Sequence, residues 1–220
     1  MIRFYRTFYV AVLLLGFAFE QRAVAAVTVV LDFNDLASSS SEAEVVGNTY
    51  SNSGFLISNP DNLPTFQAMQ IYGSNHPDYI LGSGAALHSD NPGSDFTLTK
   101  LDGGEFRLAS IDIGKFKDSV LNPATLTVNF HGSFAGGGSF SDNYSVSVDD
   151  DEFQTINFGT DFVGINSITW GFDTPFYQFD NVTLEVSAVP EPTTLAFLGV
   201  GLGVAGVRRV RRKRFENAVA

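Results

Sequence analysis

The side chains able to do chemistry in this chain are overwhelmingly carboxylates. Its 220 residues carry 24 Asp and Glu against 13 Lys and Arg. One position stands out. Asp180 alternates in phase with Val182, Leu184 and Val186, so it is expected to start the last strand on the core-facing side. A carboxylate there must be paired, hydrogen-bonded or bound to a metal, because burying an unpaired charge is expensive. The densest charge is Asp149-Asp150-Asp151-Glu152, which falls between two strand-like stretches, where a hairpin turn belongs. It reads as a solvated turn. The alternative is a calcium-holding loop, since clustered carboxylates supply hard oxygen ligands, but the D-x-D-x-D-G order of an EF-hand is absent.

Other chemistry is thin. The three histidines, His76, His88 and His131, show no HExxH or HxH spacing and read as surface or loop residues. Cysteine is absent, which removes disulfides, thiolate metal sites and a thiol nucleophile. No GxSxG elbow or phosphate-binding glycine loop occurs. A glycosidase would need two carboxylates facing each other across a cleft, and in so acidic a chain some pair meets that distance by chance. Sugar binding usually calls for exposed flat aromatics. The candidates are Tyr72, Tyr79, Trp170 and Tyr177. Trp170 shares the phase of Ile168 and Phe172 and is assigned to the core, which leaves Tyr79, in His76-Pro77-Asp78-Tyr79, as the expected exposed ring.

The elements that must position these groups are strands. Residues 26–187 form one domain whose strand signals are separated by Gly, Asn, Asp, Ser and Pro clusters. Leu126, Val128 and Phe130 alternate with Thr125, Thr127 and Asn129, the period of a half-buried strand. Further strands are expected at Val27–Phe33, Gly54–Ser58, Phe66–Tyr72, Asp95–Lys100, Glu105–Gly114, Asn143–Val148, Phe153–Phe158, Asp161–Phe172 and Tyr177–Val186. The apolar phase slips between Leu108 and Ala109, as a β-bulge would cause. Gly136-Gly137-Gly138 reads as a hairpin connection, and Ser38–Val46 as the one stretch able to form a helical turn or two. The pattern predicts an all-β, two-sheet antiparallel sandwich, jelly-roll-like, with many of its 21 Phe in the core.

Charge divides the chain into three. Nine of the thirteen basic residues lie near its two ends, while Ala26–Pro192 holds four basic and 22 acidic side chains, a net charge of −18. Such a surface repels nucleic acid and anionic lipid and attracts cations. At one end, two arginines, the uncharged run Phe8–Phe19 and Ala23-Val24-Ala25 follow the order of a signal peptide, residues 1–25, to be removed by signal peptidase. At the other, residues 188–220 hold Val189-Pro190-Glu191-Pro192, then fifteen uncharged residues from Thr193 to Val207, then Arg208, Arg209, Arg211, Arg212, Lys213 and Arg214. Residues 193–207 are expected to be a transmembrane helix. Fifteen residues span roughly 22 Å, short of a hydrocarbon core of about 30 Å, but flanking arginines can snorkel. The basic cluster stays cytoplasmic by the positive-inside rule, which leaves the middle domain outside. Pro190 and Pro192 keep the preceding segment extended and out of the helix.

Pro190-Glu191-Pro192, the short Gly-, Leu- and Ala-rich span and the arginine cluster together resemble the PEP-CTERM sorting signal. That resemblance implies recognition by an exosortase, a transpeptidase-like membrane enzyme, with removal of the helix. Its usual setting is a Gram-negative bacterium that makes exopolysaccharide or biofilm matrix. In the middle domain, Phe179-Asp180-Asn181-Val182 resembles the closing-strand Asp-Asn motif of carbohydrate-binding-module-like jelly rolls. That likeness implies a structural calcium joining Asp180 to acids near the first strand, for which Asp32 and Asp35 are the natural partners if first and last strands pair; hydrogen bonding of Asp180 to loop backbone is the alternative.

Three functions are open. The first is a non-catalytic surface or matrix protein associated with exopolysaccharide. The second is a calcium-dependent lectin-like module, and the third a polysaccharide hydrolase or lyase. The first is the expectation, with exosortase and signal peptidase as processing partners and no nucleic acid.

Overall fold

The computed structural model describes residues 26–59, 69–80, 84–89, 94–116, 125–147, 152–172 and 177–187. Residues 1–25 and 188–220, which hold the expected signal segment, sorting motif and membrane helix, lie outside them. Among the described residues no helix is long and apolar enough to cross a membrane.

The described residues form thirteen strands: β1 (Ala26–Leu31), β2 (Ala43–Gly47), β3 (Thr49–Asn52), β4 (Phe55–Ser58), β5 (Met69–Tyr72), β6 (Leu87–His88), β7 (Asp95–Lys100), β8 (Arg107–Lys115), β9 (Thr125–Phe134), β10 (Ser139–Ser147), β11 (Gln154–Asn157), β12 (Ile165–Phe172) and β13 (Tyr177–Ser187). They form two sheets. The first runs β11-β8-β13-β6-β5-β2, with β1 also paired to β13; the second runs β10-β9-β12-β7-β4-β3. The expected all-β, two-sheet antiparallel sandwich is the fold.

The alternation that predicted the strands also builds the core. Leu126, Val128 and Phe130 of β9 are buried, as are Ile168, Trp170 and Phe172 of β12. Phe179 sits among three other rings, with centroid distances of 4.7 Å to Phe96, 5.1 Å to Trp170 and 5.8 Å to Phe33, all edge-on. Edge-to-face contacts of this kind add about 0.5–1.5 kcal/mol each beyond the area they bury. Trp170 therefore belongs to the core, as its phase predicted. Gly132 has a packing reason: Phe140 from the neighbouring edge strand lies where a Cβ would stand.

Three expectations need correction. Ser38–Val46 forms no helical turn; its second half is the edge strand β2, while the local 3-10 turn falls earlier, at Asn34–Leu36. The β-branched pair Val45-Val46 suits an edge strand better than a capless turn of helix. The strand expected from Asp161 starts at Ile165, after a 3-10 turn at Thr160–Phe162 that tucks the Phe162 ring into the core. His88 is not a surface residue but fully buried on the two-residue strand β6.

Candidate functional site

The carboxylate Asp180 is where the structure departs most usefully from the sequence pattern. It is wholly buried, yet not on the face that the pattern gives it. Along β13 the core residues are Tyr177 and Phe179, then Val182 and Leu184, so the inward phase changes from odd to even numbers. The change occurs at Asn181, which adopts the left-handed region at φ 47°. Asp180 pairs with Asp112 of β8, and the next pair is Thr183 with Ser110, which leaves one extra residue on β13. This is a β-bulge, and Asn is among the few residues that enter left-handed backbone readily. Ala109 then provides a compensating extra residue on β8, at the slip foreseen beside Leu108. The result puts Asp180 on the side of its sheet opposite the inter-sheet core, in the row Thr155, Asp112, Asp180.

That row lies next to another whose members are also polar or small: Gly114, Gln178, His88 and Gln70 stand side by side on β8, β13, β6 and β5. The segment from Gly73 to Ile80 covers them. Gln178 Nε2 donates to the Asp78 carbonyl at 3.1 Å. Tyr72 stacks between His76 and His88 at centroid distances of 3.9 and 4.1 Å. A Cβ on Gly114 would run into Ile80. This cover explains why His88 is buried on an outer sheet face.

Asp180 itself is only half satisfied. Its Oδ1 accepts the Asn181 backbone N–H at 2.7 Å, while the buried Oδ2 has no partner. Burial pushes its carboxyl up to about 8; the Asn181 N–H opposes this, and the charges of Asp112 and Asp32 reinforce it. Asp112 is tied on both sides, accepting from Thr155 Oγ1 at 2.6 Å and from Asn181 Nδ2 at 2.9 Å.

Of the other expected metal ligands, Asp32 accepts from the backbone N–H and side-chain amide of Asn34 at 3.3 and 2.9 Å. Asp35 accepts the Tyr50 hydroxyl at 2.7 Å. Burial pushes that hydroxyl up to about 12; the bond donated by Asn52 opposes this, and the Asp35 carboxylate adds to it. First and last strands do pair, as the calcium expectation required. Asp32 is then near enough for its charge to act on Asp180, whereas Asp35 turns to Tyr50. Among the described residues no group of three or more His, Cys, Asp or Glu side chains is placed to hold a metal ion. Asp112 was missed in the sequence; its signal was its place three residues beyond Ala109, on the polar phase between Ile111 and Ile113.

The aromatic candidates divide. Tyr72, Trp170 and Tyr177 are buried, and Tyr177 stacks on Phe172. Tyr79 is half-buried in the covering loop, its backbone N–H bonded to the His76 carbonyl at 3.1 Å. His131 is exposed on the polar face of β9, where its Nδ1 meets Ser141 Oγ at 2.7 Å. Of the acidic run, Asp149, Asp150 and Asp151 lie outside the described residues.

Several solved structures align with part of this chain. A family 89 glycoside hydrolase from Clostridium perfringens, in complex with 2-acetamido-1,2-dideoxynojirmycin, aligns at 13% identity and a TM-score of 0.38 over 63% of this chain and 15% of the hydrolase. The CBM32 module of AlyQ, in complex with 4,5-unsaturated mannuronic acid, aligns at 12% identity and a TM-score of 0.34 over 64% of this chain and 98% of the module. A mutant family 29 carbohydrate binding module aligns at 12% identity and a TM-score of 0.35 over 69% of this chain and 99% of the module. No curated protein sequence matches this chain. Its tail is more specific: residues 188–213 match the PEP-CTERM protein-sorting motif, which marks the chain as an exported, membrane-anchored precursor that an exosortase processes.

Proposed function

We propose that this protein is a non-catalytic component of the cell surface or extracellular matrix that associates with exopolysaccharide after exosortase processing. The observation that carries this reading is the sorting motif at residues 188–213. It is joined to a β-sandwich domain, residues 26–187, whose 21 acidic and four basic side chains give a net charge of −17. A domain of that charge stays soluble and repels its own copies, as suits a hydrated matrix. The test is a Pro190→Ala/Glu191→Ala/Pro192→Ala variant made in the native host. Wild-type protein is expected in the matrix fraction, and the variant uncleaved in membranes. Identical distribution of the two would overturn the reading.

A second reading, a calcium-dependent lectin-like module, is supported by one feature, the unpaired Asp180 Oδ2. A calcium ion at this oxygen would supply the positive charge this carboxyl lacks. It is separated from the first reading by whether chelator abolishes glycan binding.

A further inference from the structure

The outer face of the second sheet is almost free of charge, in a segment that carries 22 carboxylates. Edge strand β10 presents Ser139, Ser141, Asn143, Ser145 and Ser147 on that face, with no Lys or Glu among them. The one acid of this edge strand, the exposed Asp142, falls on the alternate phase. The inner strands continue the pattern. Ser141 stands beside His131, His131 beside Thr169, and Thr169 beside Thr97. These side chains are tied together in pairs: His131 Nδ1 with Ser141 Oγ at 2.7 Å and Thr97 Oγ1 with Thr169 Oγ1 at 3.0 Å. The adjoining row runs Asn143, Asn129, Gly171, Asp95. Gly171 leaves a floor without a Cβ, and the exposed Asp95 carboxylate lies across it. Two amides and one carboxylate are thus set along three strand spacings, about 14 Å.

We infer that this face binds a neutral, hydroxyl-rich polysaccharide laid across β10, β9, β12 and β7. Paired sugar hydroxyls can donate to Asp95 and both donate to and accept from Asn129 and Asn143. Elsewhere the negative domain repels polyanions, whereas this face asks a neutral chain to strip water from only one carboxylate. The hydroxyls around the row are already held by one another, so less order is lost when the ligand docks. The inference rests on the exopolysaccharide reading above and names the surface and ligand class for it.

The test is affinity electrophoresis of the full chain in mild nonionic detergent, through gels containing hydroxyethyl cellulose or alginate. Two variants are compared with wild type: Asn129→Ala/Asn143→Ala, and Ser145→Arg, which puts bulk and charge at the rim. Hydroxyethyl cellulose is expected to retard the wild type, and each variant to weaken that by about tenfold at unchanged melting temperature, the loss expected for one or two hydrogen bonds. Retardation equal in wild type and both variants would overturn this face but leave glycan association standing. Retardation by alginate alone would overturn the neutral class. No retardation by either polymer would overturn both this inference and the reading it rests on.

Discussion

Asn181 reaches across the strand pair and donates its side-chain amide to Asp112 at 2.9 Å, while its own backbone sits in the left-handed region at φ 47°. The two facts are linked. The left-handed turn inserts the extra residue that puts Asp180 on the outer sheet face, and the bond to Asp112 holds that turn in register.

Substitution at Asn181 should separate backbone from side-chain effects. Asn181→Gly keeps the conformation and loses the hydrogen bond, an expected loss of about 1 kcal/mol. Asn181→Val adds a β-branched strain that left-handed backbone resists, for a total of about 2–4 kcal/mol. Urea unfolding of the two variants measures both; equal stability of Val and Gly would contradict the bulge.

Asp180 gives the protein a pH dependence of predictable sign. In the unfolded chain its carboxyl loses its proton near pH 3.9. In the folded chain burial holds the proton up to about 8. Between these values the unfolded state binds fewer protons, so stability falls as pH rises, by about 1.4 kcal/mol per pH unit at most. The contribution is complete below pH 4 and gone above pH 8. In chelator, Asp180→Asn should flatten the slope of unfolding free energy across that window. An unchanged slope would show that Asp180 is not the titrating group.

Calcium tests the same carboxyl from the other side. An ion bound at Asp180 only in the folded state raises the melting midpoint by mass action. The expected outcome for the lectin-like reading is a rise at millimolar calcium that chelator reverses and Asp180→Ala abolishes. No rise would remove the calcium-dependent alternative and leave the matrix reading alone.

The Arg107–Glu185 pair closes the other end of β13. Arg107 Nη1 lies 2.9 Å from both Glu185 carboxylate oxygens, and Nη2 donates to the Phe158 carbonyl at 3.3 Å. Both side chains are about one-third exposed, so Glu185→Gln should cost only about 0.5–1 kcal/mol. Arg107→Ala should cost more, because it also leaves the Phe158 carbonyl without that donor. The order of the two midpoints in urea checks this, and a reversed order would contradict it.

Strands with long, regular alternation were legible because one buried face imposes a period of two on the residues themselves. Thr125 to Phe130 is the clearest instance. Asp180 was misplaced because the bulge adds a single residue: Val182, Leu184 and Val186 continue an even phase backward through it, and only the odd-numbered Tyr177 and Phe179, with Asn between the two sets, betray the change. His88 could not be read from its neighbours, since a two-residue strand has no period and its burial depends on a loop folded over it. The hydroxyl face was half visible. Thr125, Thr127, Asn129 and His131 mark the polar side of one strand, but bringing Asn129 beside Gly171 and Asp95 depends on register between strands distant in sequence.

The most direct measurement is mass spectrometry of the protein's terminal peptides, taken from the washed exopolysaccharide fraction of the host that makes it. The expected result is a chain that starts near Val27 and lacks residues 193–207, enriched in that fraction. Recovery only as an uncut chain in the inner membrane, or as processed protein free in the medium with none on the polysaccharide, would contradict a matrix role.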